Sequence, residues 1–295
     1  MENISILIPT YNHECYQLAE QLASQAAALG ICYEVIVADD GSTRQDIIAS
    51  NRRINGIAHA RYIERPENVG RAAIRNFLAC VACYDWLLFC DSDLAICRDD
   101  FVRKYSEEAG SPLVYGGISI GGAIRSNLRA CYEKTCEDAH SVAARRKKPY
   151  RDFRTTNFMV ARDIMLRCPF DERIRHYGYE DVMFGKLMEQ QQIEITHIDN
   201  PLLLDEFEEN AEFILKTEES LHTLCFLRDE LRGYSRLLDR ATCLPAWPIL
   251  VWHRLLGSWE RRNLTGSHPH LWLLNPYKLG FLVSLLHDKN CGRSG

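Results

Sequence analysis

The chain reads as an α/β protein, with one large sheet-containing domain over residues 1–206 and a helical region over residues 207–295 packed on it. Three observations predict this. Short β-rich runs alternate with helical stretches in the first half, the pattern of a parallel sheet with crossover helices. Polar clusters fall just after those runs, where open α/β sheets bind ligands. From Glu208 onward apolar residues such as Phe213, Leu221, Leu224 and Leu227 recur at helical spacing.

Each element has its own signal. Ile4–Ile8 is a continuous apolar run that ends at Pro9, as a strand buried on both faces does. Cys15–Leu29 is rich in Ala, Gln and Leu and stops at Gly30, a helix with its C-terminal signal. Tyr33–Ala38 is a second strand and runs into Asp39-Asp40-Gly41-Ser42. Ala60–Glu64 is a third, followed by a loop through Asn68 and Gly70 and a helix from Arg71. Trp86–Cys90 is a fourth and ends at Asp91-Ser92-Asp93. Leu113–Gly117 is a further strand, and Ile118–Pro149 reads as a long excursion with some helix rather than sheet. Asn157–Ala161, a helix at Glu180–Gln192 and a short strand at Glu194–Ile198 complete the domain.

Composition narrows the function. A net charge of -5 gives no general attraction to nucleic acid. No G-x-x-x-x-G-K-[ST] occurs and no G-x-G-x-x-G follows the first strand, which disfavours NTP hydrolysis and nicotinamide chemistry. MENISILIPTYN lacks the basic and apolar regions of a signal peptide, and no run of 18 apolar residues exists, so a cytoplasmic protein is expected. The 12 cysteines are then expected to be reduced and mostly buried, and Cys80-x-x-Cys83 has no second pair at zinc spacing.

The chemistry sits at the strand ends. An Asp-x-Asp after an apolar strand sets two carboxylates beside each other, which suits a hard divalent cation and its diphosphate partner. Asp39-Asp40, Asn68 and Asp91-Ser92-Asp93 would face one cleft. Taken singly, each is also what ordinary βα turns use.

In order and spacing, SILIPTYN (5–12), VIVADDGS (35–42), NVGRAAIRN (68–76), LLFCDSD (87–93), NFMV (157–160), GYEDVMFG (178–185) and HIDNP (197–201) resemble the signatures of family 2 glycosyltransferases. NPYKLG (275–280) is similar to the ending of bacterial members. The resemblance implies a GT-A fold, a Rossmann-like nucleotide-diphospho-sugar transferase domain. It implies an inverting transfer from a nucleotide sugar, UDP-linked, to a glycan or lipid-linked glycan, with Mg²⁺ or Mn²⁺. Pro9, Thr10 and Tyr11 would line the base pocket, with Asp40 on the base and Asp39 as its neighbour. Asn68, Gly70 and Arg75 would flank the nucleotide, Arg75 having the alternative of a solvated helix residue. Asp91 would meet the ribose or sugar and share the metal with Asp93, whose Asp-x-Asp is the family's DXD motif. Asp181 would be the catalytic base and Glu180 its acceptor-positioning neighbour; without the family, the pair is an ordinary acidic first turn of a helix.

One departure keeps a second function open. Relatives carry a His where this chain has Leu204, which puts a third metal ligand in doubt and leaves a weak or inactive nucleotide-sugar-binding member, acting as a partner protein, as the alternative. Asp205 is adjacent, but a one-residue offset reverses side-chain direction in an extended segment. Arg145-Arg146-Lys147-Lys148 reads as a solvated turn before Pro149 in preference to a contact for an anionic acceptor such as a lipid-linked diphosphate, and His197 as structural rather than a ligand. Trp247, Trp252, Trp259 and Trp272 with nearby arginines leave two readings open: a peripheral contact with the inner face of a membrane, or packing onto the domain.

Overall fold

The computed structural model describes residues 1–122 and 126–288. Residues 123–125 of the expected excursion and 289–295 of the expected helical tail lie outside the described residues.

Along the chain the elements are β1 (Asn3–Thr10), α1 (Tyr16–Ala28), β2 (Cys32–Asp39), α2 (Gln45–Asn51), β3 (Ala60–Glu64), α3 (Arg71–Val81), β4 (Trp86–Cys90), α4 (Phe101–Glu107), β5 (Leu113–Tyr115) and β6 (Ile118–Ile120). There follow α5 (Leu128–Cys136), α6 (Val142–Arg145), β7 (Asn157–Ala161), α7 (Arg162–Arg167), α8 (Glu180–Gln190), β8 (Ile195–His197) and β9 (Leu202–Leu204). The last helices are α9 (Asn210–Phe226), α10 (Arg228–Leu231), α11 (Arg236–Cys243), α12 (Ala246–Leu264) and α13 (Leu274–His287).

Two compact units result. The first holds Met1–Gly121, Glu137–Arg175 and Glu180–Glu206. Its main sheet runs β3-β2-β1-β4-β7-β5-β8, and β6 and β9 form a separate pair. Ile4, Ile6, Leu7 and Ile8 of β1 have no exposed surface, because parallel partners on both sides and covering helices leave that strand no face to water. Each such side chain contributes about 1.5–3 kcal/mol. β1, β2, β3 and β4 are parallel, so their carboxyl ends share one edge.

The all-parallel expectation needs correction at one strand. β7 runs antiparallel to both β4 and β5. A long connection precedes it, so no short crossover dictates its direction. The consequence is functional: Asn157 at the start of β7 pairs with Cys90 at the end of β4, and the loop before β7 enters the ligand edge. The excursion is also not free of sheet, since Ile118–Ile120 pairs with Leu202–Leu204.

The second unit gathers Gly122–Cys136 and His176–Tyr179 with the chain from Phe207 on. Its core joins Leu128, Ile214, Leu264, Leu273, Leu274 and Tyr277. Polar staples fix it: the Asn210 Oδ1 accepts from the Leu128 amide (2.7 Å), and Glu218 accepts from both Arg261 (2.7 Å) and the Tyr277 hydroxyl. Among the described residues no helix is long and apolar enough to cross a membrane.

The cysteines differ from expectation. Cys15, Cys90 and Cys168 are buried thiols, but Cys32, Cys80, Cys83, Cys97 and Cys243 are exposed, because the apolar runs that carry them reach helix ends and loops.

Candidate active site

The carboxyl edge of the sheet is built by turns that lock onto each other. After β1, Asn12 takes a left-handed backbone (φ 52°), and its Oδ1 accepts from the Thr43 and Arg44 amides at 2.8 and 3.0 Å. Its own amide donates to Ser42 Oγ at 2.7 Å. The turns after β1 and β2 are thereby stitched together. Thr10 is buried and its hydroxyl donates to the His13 carbonyl (3.0 Å), whereas Tyr11 stands exposed with its ring available for stacking.

Asp39 and Asp40 are both buried, and the protein itself uses their oxygens. Asp39 accepts from the Ser42 amide (2.7 Å) and from the Tyr62 hydroxyl. Asp40 accepts from the Val69 and Gly70 amides, both at 3.0 Å, and so pins the loop that carries Asn68. Burial raises the Asp40 pKa, which the two amides oppose. Gly41 (φ 74°) lets that loop approach: a Cβ there would lie 2.5 Å from the Glu67 carbonyl carbon. Asn68 is exposed at the loop's crest, and Gly70 (φ 92°) starts α3.

Arg75 decides the geometry beneath. It is 1% exposed and is no solvated helix residue. Its Nη2 donates to Asp91 Oδ1 at 2.6 Å, its Nη1 lies 3.7 Å from Glu180 Oε1, and its guanidinium sits 5.8 Å from the centre of the Phe170 ring. One buried cation therefore joins the end of β4 to the start of α8. Burial raises the Asp91 pKa; Arg75 opposes this, Asp93 adds to it, and Arg71 opposes it again. The Asp91 amide donates to the Thr156 carbonyl (2.9 Å), which ties the end of β4 to the loop before β7.

Asp93 differs from its neighbours. It is half-buried, and no hydrogen bond engages its carboxylate among the described residues. A free carboxylate two residues from a second one is an oxygen donor set that fits Mg²⁺ or Mn²⁺. Leu204 is buried in β9 and Asp205 is exposed beyond it. Among the described residues no three Asp, Glu, His or Cys side chains gather as a metal cluster, so protein ligation would come from Asp93 and Asp91 and the remainder from diphosphate and water.

At the α8 start, Glu180 is buried and Asp181 lies beside it, its Oδ1 accepting from the Val182 amide (2.7 Å). Burial, then the Glu180 charge, push the Asp181 pKa up to about 6, against the pull of Arg154 and Arg75. Tyr179 has a left-handed backbone (φ 68°), a costly conformation for a residue with a Cβ.

The same geometry explains other motif residues. Asn157 and Asn200 are buried; Asn157 Nδ2 donates to the Asn200 carbonyl and Asn200 Nδ2 to that of Phe101, each at 2.9 Å. His197 is buried, donates from Nε2 to the Pro149 carbonyl (2.9 Å), and has its pKa pushed down to about 4 by burial. Arg145 is buried rather than solvated, and donates to the carbonyls of Tyr115, Gly116 and Ile198. Sequence reasoning missed Arg71 and Arg154, the cations that bear on Asp91 and Asp181, and Tyr62, which holds Asp39. Isolated arginines and a strand tyrosine carry no local signal for such partners.

A profile of the family described as "Glycosyl transferase family 2" matches residues 5–165. A Haemophilus influenzae protein described as an uncharacterized glycosyltransferase is 37% identical over 104 residues, 35% of this chain and 41% of that protein. The aligned part thus spans less than half of that relative's length. The fold is similar to that of Staphylococcus aureus TarS 1-349 in complex with UDP-GlcNAc (TM-score 0.53, 15% identity, 97% of this chain and 90% of that one). It is also similar to that of the mannosyltransferase PcManGT from Pyrobaculum calidifontis in complex with GDP-Man and Mn²⁺ (TM-score 0.56, 14% identity, 97% and 87%).

Proposed function

The chain belongs to glycosyl transferase family 2 and has the GT-A fold, and from that premise we propose that it moves a sugar, with inversion, from a UDP-linked donor to a hydroxyl of a glycan or lipid-linked glycan. The observation that carries this reading is the buried Arg75, which ties Asp91 at the end of β4 to Glu180 and so to Asp181. Donor-side and acceptor-side carboxylates thereby belong to one rigid set.

In this reading Tyr11 stacks on the base, and the loop pinned by Asp40 presents Asn68 to the nucleotide. Asp93, with Asp91, would hold a Mg²⁺ or Mn²⁺ ion, which supplies positive charge against the departing diphosphate. Asp181 takes the proton of the acceptor hydroxyl as that oxygen attacks the anomeric carbon opposite the diphosphate. Glu180, held by Arg75, orients the acceptor. A carboxylate with a pKa near 6 is ionised at neutral pH yet basic enough for this step.

Calorimetry with UDP and Mn²⁺ tests the donor half. Asp93→Ala should lose the metal-dependent part of UDP affinity while melting within about 0.5 kcal/mol of the parent, since its carboxylate has no hydrogen-bond partner among the described residues to lose. Undiminished metal-dependent affinity in that variant would refute the donor assignment.

A further inference from the structure

Helix α12 (Ala246–Leu264) presents an apolar face to water. Trp247 is 71% exposed, Val251 49%, Leu255 74% and Trp259 52%, with Trp252 beside them at 47%. The first four recur every four residues, so they form one stripe about 18 Å long. The helix's opposite side is already satisfied: Gly257, Glu260 and Leu264 are buried, within a unit whose core includes Leu264, Leu273, Leu274 and Tyr277.

Among the described residues, the exposed charge on α12 beside this stripe has one sign. Arg254 and Arg262 are exposed on α12, three residues beyond Val251 and Trp259 and so beside the stripe. The sole acid of α12, Glu260, is fully buried and accepts from Trp252 Nε1 at 2.8 Å. Residues 228–288 hold eight Arg and Lys against five Asp and Glu, in a chain of net charge -5. The basic excess is therefore local to the C-terminal helices, of which α12 carries the apolar stripe, while the rest of the chain is acidic.

We propose that this face of α12 docks on an anionic lipid surface. Tryptophan combines an apolar body with a polar N–H and is favoured at the boundary between headgroups and acyl chains, and arginines beside it meet the lipid phosphates. A helix lying flat along its 18 Å stripe would bury the two outer tryptophans and Leu255 together. A protein partner or second copy would equally cover apolar surface, but the unopposed positive charge favours an anionic plane.

Flotation of the purified full chain with phosphatidylcholine vesicles, with and without phosphatidylglycerol, tests this. The parent should float with the phosphatidylglycerol vesicles, lose that binding in high salt, and show a blue-shifted tryptophan emission when bound. Trp247→Ser with Leu255→Ser should weaken partitioning at least about tenfold. Arg254→Glu with Arg262→Glu, which removes no apolar contact, should abolish the preference for the anionic lipid. Unchanged UDP binding in both variants guards against misfolding. Overturning results are a parent that stays with the lipid-free fraction, variants that float like the parent, or a parent dimer in light scattering that the serine variant dissolves, which would assign the face to a second copy.

Discussion

Asp181 is the residue on which the mechanism can be separated from mere helix chemistry. Asp181→Asn should reduce transfer on the order of 10²–10⁴-fold with UDP affinity retained, because the amide keeps size and hydrogen bonding but accepts no proton. Folding raises the pKa of this carboxyl from 3.8 to about 6, so the folded chain binds the proton more tightly than the unfolded chain. Its ionisation therefore costs stability as pH rises from about 4 through about 6, and the Asn variant should be no less stable than the parent at pH 7. The parent's kcat/KM should fall about tenfold per pH unit below pH 6 and level off above. A flat acid limb in a rate profile, or full transfer by the variant, would remove Asp181 from the role of base.

At the scale of elements, two junctions hold the site. Arg75 spans from α3 to β4 and α8 with almost no exposure. Arg75→Met leaves Asp91 buried beside Asp93 and Glu180 without its cation, and should cost about 3–5 kcal/mol in denaturant unfolding. Lysine should restore little, because one ammonium cannot reach both carboxylates as the guanidinium fork does. The second junction is the close approach of the turn after β2 to the loop before α3. Gly41→Ala places a methyl 2.5 Å from the Glu67 carbonyl carbon on a left-handed backbone, so it should destabilise the fold by more than about 1 kcal/mol and weaken UDP binding. Equal melting and equal UDP affinity would show that the loop yields at no cost.

For the whole molecule, burial sorts the cysteines more sharply than sequence does. Brief alkylation of the native chain followed by mass spectrometry should modify Cys32, Cys80, Cys83, Cys97 and Cys243, and spare Cys15, Cys90 and Cys168. For Cys15 a second reason applies, since burial pushes its thiol up to about 12 and so removes the reactive thiolate. Labelling of Cys90 before unfolding would contradict the packing of β4.

What the sequence determined by itself follows from local rules. Apolar runs such as Ile4–Ile8 and Trp86–Cys90 specify buried strands, and their polar successors Asn12, Asp40 and Asp91 mark the ligand edge, because strand periodicity and turn chemistry act within a few residues. The helical tail was legible for the same reason, as was the acidic start of α8. Only the tertiary structure decided the rest. The antiparallel course of β7, the use of Asp40 to pin a loop, the burial of Arg75 and Arg145, and the outward stripe of α12 each depend on partners tens to over a hundred residues away. Arg75 reads as an ordinary helix arginine until Asp91 and Glu180 arrive from other elements, since a charge is costly or stabilising in the interior only according to what packing brings beside it.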